Sequence, residues 1–249
     1  MHFIGNIGYG THVAGILAGD GSLSGGKIKG IAPNVKLVVL KVLDDKGNGK
    51  LSHMLAGISW LEKNWSEYGV RIVNISIGAV STRLTGEDSQ LVKAVNRLWD
   101  LGMVVCVAAG NEGNKITTPG ICPKTITVGS SDDAVMVDQH GNMYKNYSGK
   151  GPTKSCVCKP EIVAPGTNII AANAMNQRLA TPYTMKSGTS MSTPIVSGAI
   201  ALLLEKYPEL SNKEVKLRLK RTAKDLLLPQ NHQGWGQISI VNLLKDDYF

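Results

Sequence analysis

The chain has 249 residues, 43% of them apolar and 18% charged, and a formal net charge of +8. That length buries a substantial core, and the balance of apolar and charged residues excludes a disordered chain. No apolar run approaches the roughly 20 residues that cross a bilayer. MHFIGNIG has no basic region followed by an apolar core, so neither a membrane span nor a signal peptide is expected.

In chain order, GYGTHVAGILAG (8–19) sets two glycines ahead of a small-residue apolar run that opens a helix. VKLVVLKVL (35–43) reads as a buried strand. LSHMLAGISWLEKNW (51–65) reads as a helix, with Leu51, Leu55, Ile58, Leu61 and Trp65 near a 3.6 period and Ser52 as a candidate N-cap. VRIVNISIGAV (70–80) is a strand, and DSQLVKAVNRLWDLG (88–102) an amphipathic helix that stops at Gly102. MVVCVAAG (103–110), TITVGSS (125–131) and EIVAPG (161–166) are further strands. TSMSTPIVSGAIALLLEKYP (189–208) is a long helix whose apolar breadth predicts burial, and NKEVKLRLKRTA (212–223) is a more exposed one. Strands apolar on both faces, alternating with helices, predict a single α/β domain over residues 1–249. Its sheet is mostly parallel and flanked by helices, with function at the loops leaving the strands' carboxyl ends.

The densest basic run, KEVKLRLKRTAK (213–224), is interleaved with Val, Leu and Ala and reads as the wet face of a helix, so no nucleic-acid partner is expected. Cys106, inside MVVCVAA, reads as a small core residue. Cys156 and Cys158 form C-V-C rather than the C-x2-C of a zinc site, and their plain reading is buried thiols. With Cys122 they do not make a disulfide framework, so a reducing compartment, by default the cytoplasm, is expected. GDGSLSGGK (19–27) offers one carboxylate, Asp20, too few oxygen ligands for calcium. Neither it nor GNGK (47–50) has the context of a phosphate loop, so neither metal nor cofactor is expected.

Two loop-to-helix transitions carry chemistry. AAGNEG (108–113) directly follows a strand. The Asn111 amide there can donate to a developing oxyanion, although Asn and Gly are also ordinary turn residues. In KSGTSMSTP (186–194), Gly188 allows a sharp turn and Ser190 stands at the start of the long helix. Free N–H groups and the helix dipole suit an oxyanion beside a serine nucleophile, while the plainer reading of Ser190 is an N-cap. Pro194 is tolerated only near a helix start and puts that start just before it. Ser192 stands where a G-x-S-x-G elbow has its second glycine, so this is not that elbow.

Together these segments resemble the subtilisin-like serine peptidases. GTSMSTP (188–194) is similar to that family's nucleophile motif, AAGNEG (108–113) to its oxyanion-asparagine motif and GTHVAG (10–15) to the end of its histidine motif. NISIG (74–78), TVGSSD (127–132) and KPEIVAPG (159–166) agree in order, so the resemblance runs from about residue 8 to the C-terminus. It implies that Ser190 is the nucleophile and Asn111 an oxyanion donor, with the Ser190 N–H as the second donor. It implies that Ser76, Ile77 and Gly78 pair with an extended peptide substrate. It also implies that Ala108, Ala109 and Gly110 wall the pocket for the residue before the scissile bond. Glu112 matches the rim of that pocket, where a carboxylate favours a basic residue.

The chain departs from the family's H-G-T-H-V-A-G. Tyr9 occupies the place of the first histidine, the catalytic base, and His12 matches the second, structural one. No Asp or Glu precedes Tyr9, so the family's third catalytic member and its inner strand have no counterpart in these residues. A phenol with a pKa near 10 is a poor proton acceptor at neutral pH. The family's own triad deletions set the scale, at roughly a million-fold in turnover or about 8–9 kcal/mol. The expectation is therefore an N-terminally truncated subtilisin-like domain with severely impaired hydrolysis; the alternative is a pseudoprotease that binds peptide without cutting it.

Overall fold

A computed structural model describes residues 8–44, 47–78, 86–137, 143–174 and 181–246. Seven helices are present among them, α1 (Tyr9–Ala18), α2 (Leu51–Asn64), α3 (Gln90–Asp100), α4 (Thr189–Lys206), α5 (Asn212–Thr222), α6 (Gln230–Gln233) and α7 (Ile240–Leu243). The strands are β1 (Ile72–Ile75), β2 (Val104–Ala108), β3 (Ile126–Ser130), β4 (Met136–Val137), β5 (Met143–Tyr144), β6 (Ile162–Ala164), β7 (Ile169–Ala172) and β8 (Tyr183–Lys186).

The central sheet has the order β1-β2-β3-β6, every pair parallel. Every residue of β2 and β3 is buried, which fits strands covered on both faces. Helix α4 crosses one face against all four strands, while α2, α3 and α5 pack on the other. Because α4 is enclosed, its first two-thirds is buried nearly all round, including Thr193, Ser197 and Gly198. The β4–β5 and β7–β8 pairs are antiparallel hairpins outside this sheet.

Local chemistry explains the helix boundaries. Ser89 caps α3, its hydroxyl accepting from Val92 N. Gly102, at φ 94, ends that helix in a Schellman turn, with Gly102 N donating to Trp99 O and Met103 N to Leu98 O. Ser211 and Glu214 close a capping box on α5. Glu161, beside β6, accepts from the fully buried Lys159 Nζ at 2.6 Å, from Lys216 Nζ of α5 at 3.1 Å and from Thr127 N of β3 at 2.8 Å, tying α5 to β3 and β6 through its carboxylate.

Several expectations need correction. Residues 35–43 form no strand: among the described residues Lys36–Leu40 make no backbone hydrogen bond, and Leu37 and Val38 are 43% and 39% exposed. Strand propensity without a neighbouring strand to pair with does not make a strand. The expected strand at 70–80 is regular only over Ile72–Ile75, and residues 79–80 lie outside the described residues. Lys50, not Ser52, is the N-cap of α2. Pro194 is the sixth residue of α4 rather than its opening, so it has no N–H to give the Ser190 carbonyl one turn back. Cys106 is buried, but Cys156 and Cys158 are exposed, and Cys156 turns the chain at φ 59. On α5, Lys213, Lys220 and Arg221 face water as expected, whereas Arg218 is buried, with its guanidinium 4.8 Å from the Tyr207 ring centre and Nε donating to Leu243 O. No helix among the described residues is long and apolar enough to cross a membrane.

Candidate active site

The site forms where three chain segments end against one another. Gly8, in the left-handed region at φ 60, turns the chain into α1, so Tyr9 is the first helical residue. Gly188, at φ 141, turns it into α4 and fixes Ser190 in the first turn. The third segment is the end of β1. Tyr9 Oη donates to Ser76 O at 2.5 Å, and Ser190 Oγ donates to the same oxygen at 2.9 Å. The two hydroxyls thus converge on one carbonyl oxygen. Burial pushes the Tyr9 phenol up to about 12, and the Ser190 hydroxyl offsets part of that rise.

Asn111 follows β2 by three residues and meets the start of α4. Its Oδ1 accepts from Thr189 N at 3.0 Å and from Thr189 Oγ1 at 3.1 Å. Thr189 Oγ1 in turn accepts from Gly110 N at 3.1 Å. The oxygen side of the amide is thus fixed, and Nδ2 packs on the Cα of Gly188, where a Cβ would stand 3.0 Å from it. Among the described residues Nδ2 and the Ser190 N–H have no hydrogen-bond partner. They are two donors beside the Ser190 hydroxyl, as an oxyanion requires.

The remaining predicted site residues form the adjoining walls. Ser76, Ala108 and Ala109 are buried, Ile77 and Gly110 half-buried, and Gly78, Asn111 and Glu112 exposed. Thr117 joins the two walls: its N donates to Ala109 O at 2.9 Å, and a Cβ on Gly78 or Gly110 would lie 2.3 Å from one of its side-chain atoms. Sequence reasoning named neither Thr117 nor Thr189. The Gly-Thr-Ser order was the available signal for Thr189; Thr117 has no local signal because its role comes from its fit against Gly78 and Gly110 on two different walls.

His12 is fully buried, with Nε2 3.1 Å from Ile169 O and 3.1 Å from Thr184 O, so it braces the β7–β8 hairpin. Burial holds its pKa below the usual imidazole value. Among the described residues no histidine or carboxylate bonds the Ser190 hydroxyl, and no group of three or more His, Cys, Asp or Glu side chains is placed to hold a metal ion.

The chain as a whole is similar to known proteins. The Subtilase family model matches residues 6–236. The chain belongs to the subtilase family. The serine protease AprX of Bacillus subtilis (strain 168) is 39% identical over 230 residues, covering 86% of this chain and 52% of AprX. Subtilisin DY of Bacillus licheniformis is 36% identical over 224 residues, covering 88% of this chain and 71% of that protein. This subtilase chain thus spans about half the length of AprX. Among solved structures, a cold-adapted subtilisin-like serine proteinase superposes with a TM-score of 0.71 at 28% identity, over 94% of this chain and 73% of that one. Sphericase gives the same TM-score at 30% identity, over 87% and 69%. The mostly parallel, helix-flanked subtilase fold expected from the sequence is the fold observed.

Proposed function

We propose that this subtilase chain is a serine endopeptidase scaffold, directed at extended peptides, in which hydrolysis through a Ser190 acyl-enzyme is severely impaired. One observation carries the reading: among the described residues the Ser190 hydroxyl bonds the Ser76 carbonyl, beside the neutral Tyr9 phenol, and no base. In this reading Ser190 Oγ is the nucleophile, Asn111 Nδ2 and the Ser190 N–H are the oxyanion donors, and Tyr9 stands in the base's place without its function. A phenol near 12 keeps its proton at neutral pH and gives Ser190 no acceptor. Ser76, Ile77 and Gly78 hold substrate backbone, Ala108, Ala109 and Gly110 wall the pocket, and Glu112 selects a basic residue at its rim. No cofactor enters this chemistry. The exposed thiols of Cys156 and Cys158 support the cytoplasm, a reducing compartment, as its location.

The test is turnover of a fluorogenic peptide by the chain and by Ser190→Ala. Rates that match within a few-fold are expected; robust turnover that vanishes in Ser190→Ala overturns the reading. A second reading, a non-catalytic peptide-binding module, is favoured by the fixed Asn111 amide and the open Ser76–Gly78 edge, which a lost base leaves in place. It expects micromolar peptide affinity that Gly78→Pro abolishes.

A further inference from the structure

Thr117 stands between the two walls assigned to substrate. A Cβ added to Gly78 would lie 2.3 Å from Thr117 Oγ1 and 3.0 Å from its Cβ. One added to Gly110 would lie 2.3 Å from Thr117 Cγ2 and 2.6 Å from Oγ1. The hydroxyl and methyl of one side chain thus fill the space that two absent side chains leave, one on each wall. In a close-packed interior both glycines are what admit this threonine. Thr117 is also held in place. It is 4% exposed, its N donates to Ala109 O at 2.9 Å, and its Oγ1 donates to the same oxygen at 3.3 Å. Branching at Cβ leaves the side chain few rotamers. Ile116 and Thr118 are buried on either side of it, so the segment is packed behind Thr117 as well.

Both walls end at the start of α4: Ser190 Oγ donates to Ser76 O, and Gly110 N donates to Thr189 Oγ1. A peptide laid along Ser76–Gly78 with a carbonyl at Ser190 directs the side chain before that carbonyl between Gly78 and Gly110, onto Thr117. We propose that Thr117 is the floor of this pocket and restricts the residue before the reacting carbonyl to glycine, alanine or serine. The proposal deepens the reading of the two walls as substrate-binding, and rests on it. A side chain that ends at Cβ, or one atom beyond, stops above Thr117. A branched or longer one meets a buried, rotationally fixed methyl and hydroxyl, and forcing extra atoms into a packed site is unfavourable. Selection is by size, because Thr117 Oγ1 already gives its proton to Ala109 O. Glu112 is exposed, so the basic residue it favours meets it at the rim, from a neighbouring position of the peptide rather than from inside the cleft.

The probes are short peptides with a free C-terminal carboxylate, alike except that the last residue is alanine, leucine, phenylalanine or lysine. The carboxylate sets the register by accepting from Asn111 Nδ2 and the Ser190 N–H, and nothing needs to be hydrolysed. Affinities are read by calorimetry for the whole chain, for Thr117→Val and for Thr117→Ala, with thermal midpoints to show that each is folded. The alanine peptide is expected to bind the chain at least about tenfold more tightly than the other three. Thr117→Val keeps the shape without the hydroxyl and is expected to keep that preference. Thr117→Ala removes the two atoms that fill the cleft, and the leucine and phenylalanine peptides are expected to gain about tenfold on it. Equal or tighter binding of the leucine peptide by the unaltered chain overturns the proposal. So does a preference for alanine that survives Thr117→Ala, or one already lost in Thr117→Val. If none of the peptides binds the chain or either variant, the reading of the walls as substrate-binding is overturned, and the proposal with it.

Discussion

In the proposed reading Tyr9 stands where a proton acceptor is needed, and its hydroxyl acts as a donor, to Ser76 O. Because its folded pKa, about 12, lies above the free value of 10, the fold favours the neutral phenol. The stability this contributes is complete below pH 10 and is lost as pH rises towards 12. Cys106 acts in the same sense from 9.0 upward, its thiol pushed to about 12 by burial. Tyr9→Phe is therefore expected to flatten the alkaline loss above pH 10 but not its onset near 9, read from denaturant midpoints at each pH, and to leave residual turnover unchanged. His12 has the opposite sign: its lowered pKa keeps stability intact above about 6.5 and loses it as the solution is acidified. At this scale the motifs named Ser190, Asn111 and Tyr9 directly, because short-range order along the chain sets their places. Thr189 had only the Gly-Thr-Ser order to mark it, because its partner Asn111 is 78 residues away, and Thr117 had no mark at all.

Helix ends that rest on local chemistry and fully apolar strands were readable, whereas the run at 35–43 and the β7–β8 hairpin, which depend on distant contacts, were not. α3 and α5 carry their caps in their own sequences, at Ser89, Gly102, Ser211 and Glu214. Ser211→Ala is expected to cost about 1 kcal/mol of stability, measured by urea unfolding. The run at 35–43 has the composition of a buried strand and failed to be one, because a strand is defined by the neighbour it bonds to. The β7–β8 hairpin went unseen for the converse reason. Ile169–Ala172 and Tyr183–Lys186 are short, and their pairing is fixed by His12 reaching carbonyls on both strands.

Across the molecule, α4 holds the parts together: it packs on every strand of the parallel sheet and presents Ser190 at its start. Behind the sheet, Glu161 neutralises a lysine with no exposed surface, and α5 is pinned through the same carboxylate. Glu161→Gln is expected to cost about 3–5 kcal/mol, seen as a fall in the thermal midpoint, because it strands a buried ammonium. The fold class was legible from the alternation of apolar strands and helices. The central proposal, that Ser190 has no base to activate it, is tested most directly by its acylation with a p-nitrophenyl ester, followed by intact mass from pH 5 to 10. The account predicts slow acylation with no midpoint near neutrality. Fast, stoichiometric acylation of Ser190 with a midpoint near pH 7, the mark of an imidazole base, would contradict it.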